Sequence, residues 1–497
     1  MFIGDILVAL ELVTKEDVTA ALRNHGGKRG GVGRYLIEAG AISPEDLDEV
    51  IAGAPACPAH LRDTGISFSS MLNLLVKVVY SAAVETPSEI AEIVQLPLQI
   101  VLEIVEAAEE RQLITSMGSS VRADIGSERR YTLTRAGADW AHAAMRRSEY
   151  VGPAPVPLSD YQAQIRRQRL VNARIDQAAI DGALADMVTA DELRLKLGPA
   201  INSSRSMLLY GPPGNGKTSI AERIGSLFKG IVYLPYCFEV DGQIVKVFDA
   251  GVHEPIPIEF PTERADPLAM HRERFDPRWV ACRRPFISVG GELTIEMLDL
   301  GYNLETKFYE APLHIKALGG VCLIDDFGRQ LVTPKALLNR WIVPLEGGHD
   351  RLKLHSGKTF VVPFDELVIF ASNLAPKDLM DAAFLRRIPY KVEAPAPTVA
   401  VFREIFRRAA KTAGVKLDDK VVDEVIAEIT ERNKFPLSNY QPKFILDQIC
   451  AAGRFLGKPP NFDPKYVAMA LSNMHTKDTP GYGEGPKAVR RQQAAQA

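Results

Sequence analysis

A glycine-rich loop between a short apolar run and a helical pattern is the feature that most limits how this chain can fold. Residues 206–224, SMLLYGPPGNGKTSIAERI, match the pattern G-x-x-x-x-G-K-[ST] where a strand passes into a helix. Glycines let successive backbone N–H groups point at phosphate oxygens, and the N-terminus of the following helix adds a partial positive charge. The pattern therefore predicts a phosphate-binding loop formed by Gly211, Pro212, Pro213, Gly214, Asn215, Gly216, Lys217, Thr218 and Ser219.

Two side chains of this loop have distinct expected roles. Lys217 is expected to reach the β- and γ-phosphates of a nucleoside triphosphate, and the Thr218 hydroxyl is expected to ligate Mg²⁺. A chance glycine-rich loop is the alternative, but the strand pattern before it and the helix pattern after it argue against that alternative. ATP and Mg²⁺ are the cofactors that the motif predicts.

A second motif joins four apolar residues to two adjacent carboxylates. In GGVCLIDDFGRQ (319–330), residues 321–324 indicate a buried strand that ends at Asp325 and Asp326. Buried carboxylates are costly unless a cation meets them. We expect this strand end to lie beside the strand of the phosphate loop, with Asp325 holding Mg²⁺ and Asp326 polarising the attacking water as a general base. Two alternatives stay open: Asp326 could be the N-cap of the following turn, or its shorter side chain could make hydrolysis slow.

Length and composition limit the remaining possibilities. With 497 residues the chain is too long for one core, so about two to four domains are expected. The net charge of −3 gives no overall attraction to nucleic acid, and five scattered cysteines without a C-x-x-C pair argue against a zinc site. The start has no basic n-region, and the best apolar run, 71–80, is too short to span a bilayer and contains Lys77. A cytoplasmic protein without membrane insertion is the expectation.

The first 54 residues contain an internal repeat. Residues 2–25 and 31–54 align without gaps, offset by 29 positions, with identical residues at four pairs of positions. Thr14 and Ser43 each precede a helical pattern and have an acidic residue three positions on, so both are predicted N-caps. Each unit is expected to form two short helices, and the two units are expected to bury each other's apolar faces.

Pattern and composition divide the rest of the chain. Residues 74–118 indicate three helices, and strand-like segments around a polar loop follow, which is the order of a winged helix. GPAPVPL (152–158) indicates a proline-rich linker, and strands alternate with helices from about 160 to 395. The predicted division is a helical repeat domain (1–54), a winged-helix domain (60–150), a linker (151–164), an α/β nucleotide-binding domain (165–395), a helical lid (396–474) and a disordered tail (475–497).

Over roughly 165–474 these motifs resemble the AAA+ ATPases, which implies an α/β P-loop core with a helical lid. LVIFASN (367–373) resembles their sensor 1, so Asn373 would hold the water against the γ-phosphate. DAAFLRRIPYKVEAP (381–395) resembles the segment with the arginine finger, for which Arg387 matches best and Arg386 is the alternative. Because that finger reaches the site of a neighbouring subunit, the resemblance implies a homo-oligomeric ring, most simply a hexamer.

Two further segments resemble parts of this family. RLKLHSGKTFVVPF (351–364) indicates a hairpin and resembles the pre-sensor-1 hairpin of the clade with magnesium chelatase, MoxR and unfoldase-type ATPases. In the lid, YQPKFILDQI (440–449) places Lys443 near the position of sensor 2, which is usually Arg. Lys is a point charge without the bidentate fork of Arg, so Lys443 departs from the family pattern at this position.

The chain departs from the family in the segment between its glycine-rich motif and its acidic motif. Asp325 follows Lys217 by 108 residues, about twice the family's usual gap, and the excess centres on 236–290. An Asp-Gly turn in EVDGQIVKVFD predicts a hairpin there, and the insertion is expected to face a partner or a central pore. Tyr302, Phe308 and Tyr309 could be pore-loop aromatics, although core packing is the favoured interpretation.

The N-terminal repeat resembles the N-terminal domain of type II secretion and type IV pilus ATPases, some of which bind cyclic-di-GMP. That family begins each unit with Arg and ends it with Gln, whereas this chain has Phe2 and His25, then Gly31 and Ala54. None of these four replaces an Arg that stacks on guanine and pairs with phosphate. Cyclic-di-GMP binding is therefore disfavoured, and residues 1–54 are interpreted as a docking module.

The winged-helix segment has mixed charges on the surfaces that would meet DNA. Its third helix carries Glu103, Glu106, Glu109 and Glu110, which would repel phosphates, while the wing carries Arg122, Arg129 and Arg130. Contact with a protein is the favoured interpretation, and contact of the wing with a nucleic-acid backbone is the alternative.

Three hypotheses about function follow from these patterns. The first is a ring-forming, chaperone-like ATPase that remodels a protein client, with residues 1–150 choosing a client in a secretion or pilus assembly. The second is a nucleotide-switched, DNA-binding regulator that uses the winged helix. The third, suggested by Asp326, is a weak ATPase that acts as a nucleotide-gated scaffold.

Overall fold

The computed structural model describes most of the chain, and two of the predicted segments lie outside it. The tail 475–497 and most of the second helix of the second repeat are outside the described residues, as are Phe2 and Gly31. The described residues are 3–9, 12–25, 32–43, 47, 53–122, 126–170, 175–256, 275–380, 382–432 and 434–474.

Short helices form the N-terminal segment. The bounds are α1 (Ile3–Ala9), α2 (Lys15–His25) and α3 (Val32–Glu38). The backbone N–H of Asp17 donates to Thr14 Oγ1 at 3.1 Å, and the backbone N–H of Thr14 donates to Asp17 Oδ2 at 3.0 Å. This reciprocal cap confirms Thr14 as an N-cap. Leu7, Leu22 and Leu36 are buried in one apolar cluster.

Residues 60–150 fold as helices followed by a hairpin, in the predicted order. The bounds are α4 (Phe68–Ala82), α5 (Pro87–Val94), α6 (Leu98–Glu110), β1 (Ile114–Arg122), β2 (Gly126–Leu133) and α7 (Arg135–Met145). Thr86 caps α5 through Glu89, with Pro87 at the first helical position. Leu72, Ile100 and Ile114 share one buried cluster. The winged-helix assignment itself stays a prediction.

Helix α4 contains the buried Lys77 that the sequence placed in its apolar run. The Lys77 ammonium donates to the backbone oxygens of Ser148 at 3.0 Å and Tyr150 at 2.6 Å. Burial lowers the pKa of Lys77 to about 8. Across the described ranges, no single helix has the length and apolar content to cross a membrane; α4 and α5 pass only as a pair, bent by 107°.

The segment predicted as a linker is ordered and packed. It forms β3 (Val156–Pro157) and then α8 (Leu158–Arg167), and β3 pairs in parallel with residues 238–239. The backbone N–H of Ala154 donates to Val94 O at 2.7 Å, and Val156 is fully buried. Because β3 is an edge strand of its sheet, the missing N–H of Pro157 costs no hydrogen bond to a further strand. The prolines therefore build a junction instead of a solvated spacer.

A buried ion pair connects the α/β half of the chain to segments that precede it, near residues 64 and 155. The side chains of Arg278 and Asp276 are only 2% and 3% exposed, and Nη2 of the arginine lies 2.7 Å from Oδ2 of the aspartate. The same guanidinium donates from Nη1 to the backbone oxygens of Thr64 and Pro155, both at 3.0 Å. One arginine thus connects three segments that are distant in sequence.

We expect Arg278→Ala to destabilise the protein strongly, because it leaves the buried Asp276 carboxylate without its cation. Breaking a buried pair in this way costs about 3–5 kcal/mol. The matched control is Arg283→Ala, whose exposed pair with Glu254 at 3.2 Å is worth less than about 1 kcal/mol. Thermal unfolding followed by circular dichroism would test this. Equal midpoints for the two variants would contradict the prediction.

The α/β half begins with the elements around the phosphate loop and the predicted insertion. The bounds are α9 (Gln177–Ala183), α10 (Asp191–Asn202), β4 (Met207–Tyr210), α11 (Lys217–Leu227), β5 (Ile231–Pro235), β6 (Cys237–Val240), β7 (Gln243–Lys246) and β8 (Trp279–Arg283). Asp241 and Gly242 have φ of 53° and 72°, so the predicted Asp-Gly hairpin turn between β6 and β7 is confirmed.

The remaining elements of the α/β half run from β9 to β16 and include the second motif. The bounds are β9 (Phe286–Val289), β10 (Gly301–Tyr302), β11 (Tyr309–Glu310), α12 (Leu313–Lys316), β12 (Val321–Ile324), α13 (Pro334–Arg340), α14 (Ile342–Gly347), β13 (His349–Lys353), β14 (Thr359–Pro363), β15 (Leu367–Ser372), α15 (Pro376–Leu379), α16 (Ala382–Leu385) and β16 (Tyr390–Glu393). The predicted hairpin at 351–364 is confirmed as the antiparallel pair β13–β14.

A five-stranded parallel sheet carries both motifs, which confirms the α/β fold. Its order is β16–β4–β15–β12–β9. The expectation that the Asp325 strand lies beside the phosphate-loop strand is wrong, since β15 lies between β4 and β12. The range of the insertion is also corrected, because β9, within 236–290, is the edge strand of this sheet. A second sheet, in the order β10–β11–β7–β6–β3, contains β6 and β7 of the insertion, while β8 pairs antiparallel with β5 in a separate two-stranded sheet.

The three aromatic residues considered for a pore loop are packed within the chain. Tyr309 is buried, and its hydroxyl accepts a hydrogen bond from the backbone N–H of His355 at 2.8 Å. The rings of Tyr302 and Tyr309 are 4.8 Å apart, and Phe308 lies 5.6 Å from the ring of Tyr150. The packing interpretation accounts for all three.

Residues 398–474 are helical and have a separate core. The bounds are α17 (Val399–Thr412), α18 (Asp419–Ala427), α19 (Gln441–Leu456) and α20 (Pro464–Met474). Phe402, Phe406 and Ile445 are buried together in this core. The spacing of the two phenylalanines by four residues places them on one face of α17.

Candidate nucleotide-binding site

The phosphate loop occupies the turn from β4 into α11, and its glycines are sterically required. Gly211, Gly214 and Gly216 have φ of +147°, +78° and +79°. A Cβ on Gly211 would come within 2.2 Å of Ala394 O, and a Cβ on Gly214 within 2.3 Å of Tyr440 Cδ1. Helix α11 begins at Lys217, immediately after the loop, so its unpaired N–H groups face the same region.

The Lys217 ammonium is held against this loop. Its Nζ donates to the backbone oxygens of Gly211 and Pro212, both at 3.0 Å, and to Asn373 Oδ1 at 2.6 Å. Burial lowers the pKa of Lys217, and the charges of Asp325 and Asp326 oppose that shift. The sensor-1 candidate Asn373 therefore contacts the loop lysine directly.

Thr218 and Asp325 lie close together although β4, which leads into the helix of Thr218, is not adjacent to β12, which leads to Asp325. The Thr218 hydroxyl donates to Asp325 Oδ2 at 2.7 Å. Carboxyl ends of parallel strands meet at one edge of a sheet, so Asp325 reaches across the end of β15. A hydroxyl and a carboxylate are oxygen ligands that suit Mg²⁺, which takes its remaining ligands from phosphates and water. The residues present thus fit the metal that the motif predicts.

Asp326 lies beside Asn373 in an uncommon backbone conformation. Its φ is 48°, and its carboxylate Oδ1 accepts from Asn373 Nδ2 at 3.0 Å. The following turn is closed by the backbone, since the N–H of Arg329 donates to Asp326 O at 2.9 Å, while Oδ1 of the Asp326 side chain is bonded to Asn373. Among the contacts of the described residues, no side-chain hydrogen bond supports the alternative of Asp326 as the N-cap of that turn. Asp and Asn tolerate the left-handed region better than longer side chains. This gives a physical reason for Asp at the second acidic position.

Two polar residues that the sequence analysis missed brace the turn after Asp325. Gln330 donates from Nε2 to Asp325 O at 2.6 Å and accepts from Gly328 N at 2.8 Å. The fully buried Ser372 donates to Phe327 O at 2.6 Å. The sequence signal for Ser372 is a hydroxyl at the end of an otherwise apolar strand, next to Asn373.

The C-terminal helical segment, 398–474, contacts the phosphate loop through the residues just before α19. The backbone N–H of Tyr440 donates to Gly214 O at 3.0 Å, and Asn439 donates from Nδ2 to Asn215 O at 3.3 Å. The sequence analysis missed both residues. The sensor-2 candidate Lys443 is exposed, and its side chain has no hydrogen bond or ion pair among the contacts of the described residues, so that role stays a prediction.

The two arginine-finger candidates differ in their surroundings. Arg387 is 14% exposed, donates from Nε to Glu346 Oε1 at 2.7 Å, and places its guanidinium 5.4 Å from the centre of the Phe384 ring. Arg386 is exposed. The better sequence match is thus held by an acidic residue of its own chain, while its neighbour faces solvent.

Comparison with known proteins gives one family match and several distant structural similarities. Residues 398–473, which cover helices α17–α20, match a family described as "Domain of unknown function (DUF8689)". The structure is similar to the Thermotoga maritima RuvB Holliday junction branch migration motor, at 15% identity and a TM-score of 0.33 over 59% of this chain and 72% of that one. It is also similar to NtrX from Brucella abortus, at 13% identity and a TM-score of 0.35 over 72% of each chain. No curated protein matches the chain.

The fold and the site together define the class. A parallel sheet has a glycine-rich loop after one strand, paired carboxylates after a second, and an Asn after the strand between them. This is the arrangement of an α/β P-loop nucleotide-binding protein.

Proposed function

We propose that this protein is an AAA+ ATPase that binds ATP with Mg²⁺ and hydrolyses it within a homo-oligomeric ring. The observation that carries the proposal is one continuous set of contacts. Lys217 is bonded to Asn373 at 2.6 Å and Asn373 to Asp326 at 3.0 Å. The backbone N–H of Asp326 donates to Asp325 Oδ1 at 2.8 Å, and Thr218 donates to Asp325 Oδ2 at 2.7 Å. Cation, amide and carboxylates meet at the edge of one sheet, as phosphoryl transfer requires.

The residues have separate tasks in the proposed reaction. Bound Mg²⁺ neutralises charge on the phosphate oxygens, and Thr218 and Asp325 would hold it. Lys217 would exchange its bonds to the loop oxygens and Asn373 for bonds to the β- and γ-phosphates. Asn373, once released, would orient the attacking water, and Asp326 would accept its proton. In this proposal the Asn373 amide is bonded to Lys217 without nucleotide and to the attacking water when ATP is bound.

Nucleotide binding is expected to depend on Lys217. Lys217→Ala should weaken binding of a fluorescent ATP analogue with Mg²⁺ by about 100-fold, since charge-assisted hydrogen bonds contribute about 1.5–3 kcal/mol each. Lys229→Ala, an exposed lysine just beyond the same helix, is the matched control and should bind as the wild type does. Equal affinities for the two variants would remove the phosphate-loop assignment.

We further propose that residues 1–150 select a protein client, which the ring remodels in a secretion or pilus assembly. The support lies in helix α6, the third helix of the winged-helix segment. It exposes Leu98 and Leu102 on the same face as Glu106 and Glu110, at intervals of four residues. Apolar residues next to acids suit a protein surface and disfavour phosphates.

The alternative regulator that reads DNA through its wing has weaker support. Arg130, one of three wing arginines, is paired with Glu85 of its own domain, while Arg129 is exposed. Glu103 on α6 accepts a hydrogen bond from the backbone N–H of Leu61 at 3.2 Å, so this acid is fixed at the surface. The wing is therefore left with fewer available cations than the sequence suggests.

A further inference from the structure

The outward face of the hairpin β13–β14 carries two cations and a histidine in a row. Along β13 and its turn, Asp350, Leu352 and Leu354 are buried, while the intervening Arg351, Lys353 and His355 are exposed. Strand side chains alternate between two faces, so the basic residues share the outer one, about 7 Å apart from each to the next. This row is not used by the nucleotide site.

A groove next to this hairpin extends the basic surface. It has a volume of about 350 Å³ and lies between α8 and β14, with Arg166, Arg169 and His349 in its lining. Gln162 joins the two sides by donating from Nε2 to Val361 O at 2.7 Å. Arg166 is exposed, and the side chain of Arg169 is 56% exposed.

The carboxylates near this surface already have partners within the chain. Asp365, in the groove, accepts from Arg169 Nε at 3.1 Å and from Leu170 N at 3.0 Å, and its side chain is 10% exposed. Asp350 is buried against Arg340, and Asp241 pairs with Lys358 beyond the turn. Arg169 and Lys358 are thus compensated by these carboxylates. The positive charge of the surface comes from Arg351, Lys353 and Arg166, on a chain whose net charge is −3.

We propose that the outer face of β13–β14 and the adjoining groove bind the backbone of a single-stranded nucleic acid. Protein interfaces are built around apolar and aromatic anchors and are depleted of Lys. On the described part of this face, Val361, at 37% exposure, is the one large apolar residue that is exposed, so the face lacks such anchors. A positive groove that follows a sugar-phosphate backbone, with an aromatic ring for stacking, is typical of single-strand binding. His355 offers such a ring at the turn, supported by Tyr302 with ring centres 5.2 Å apart.

The experiment measures binding of a labelled oligothymidine to the full-length protein without nucleotide, by fluorescence anisotropy over a range of salt concentrations. Arg351→Gln combined with Lys353→Gln should weaken binding about tenfold and reduce the slope of log affinity against log salt by about 1.4, the value for two lost contacts with a single strand. Arg166→Gln should weaken it separately. Lys411→Gln combined with Lys416→Gln, on the exposed surface of the lid, makes the same charge change and should bind as the wild type does.

Several results would overturn the proposal. They are no binding by the wild type at low salt, an equal loss in the lid control, or a loss confined to Arg129→Gln in the wing. Equally effective competition by polyglutamate of matched charge would also overturn it and point to an acidic protein partner. Circular dichroism and binding of the fluorescent ATP analogue should stay unchanged in the hairpin variants. This separates a failure here from a failure of the proposed ATPase activity.

Discussion

Replacing Asp326 by Asn should abolish ATP turnover and leave nucleotide binding close to that of the wild type. Asn has almost the same shape, tolerates the same left-handed backbone, and keeps an oxygen that can accept from Asn373. It cannot take a proton from the attacking water. Since general-base catalysis contributes about 10²–10⁴-fold, kcat should fall at least about 100-fold. Phosphate release and binding of the fluorescent ATP analogue would measure the two effects separately.

Asp326→Glu tests whether Asp is the base that the site requires or a residue that slows hydrolysis. Glu would need the same φ of 48°, which is less favourable for a longer side chain, and its extra methylene would move the carboxylate away from its position 3.0 Å from Asn373 Nδ2. We therefore expect turnover to fall here too. A clear gain in turnover would instead support the weak, nucleotide-gated scaffold, because it would mean that Asp holds the rate down.

The features that the sequence predicted correctly are those set by local chemistry. The Thr14 cap, the Asp-Gly turn and the glycine positions of the phosphate loop each depend on a few consecutive residues. The backbone conformation of Asp326 is also local, yet the sequence analysis did not find it. No glycine marks the position, and Asp is compatible with several conformations.

The features that were missed depend on pairs of residues far apart in the chain. Nothing near Asp325 indicates that β15 will lie between its strand and the phosphate loop. Glu346 is 41 residues from Arg387, and Tyr440 is more than 200 residues from Gly214. The proline-rich segment before α8 failed for a related reason. Composition cannot distinguish a solvated spacer from an edge strand whose partner, β6, lies about 80 residues later.

Arg387→Ala should abolish hydrolysis and leave ATP binding largely intact. An arginine finger neutralises charge that builds on the transferred phosphoryl group, so its loss lowers kcat by about 10³-fold or more with little effect on ground-state binding. In the isolated chain Glu346 holds Arg387 at 2.7 Å. In a ring, the guanidinium would have to exchange this carboxylate for the phosphate of a neighbouring copy. Arg386→Ala is the matched comparison, because it removes the adjacent exposed arginine.

Mixing two inactive variants would test whether the finger acts between subunits. Arg387→Ala copies keep a complete base, and Asp326→Asn copies keep a complete finger, so a ring that contains both would form some sites with every group present. We expect activity to return on mixing and to follow the probability that unlike copies are neighbours. Normal turnover by Arg387→Ala would make the finger assignment wrong. A loss confined to Arg386→Ala would transfer the role to that residue, and silence on mixing would place both groups on the same subunit.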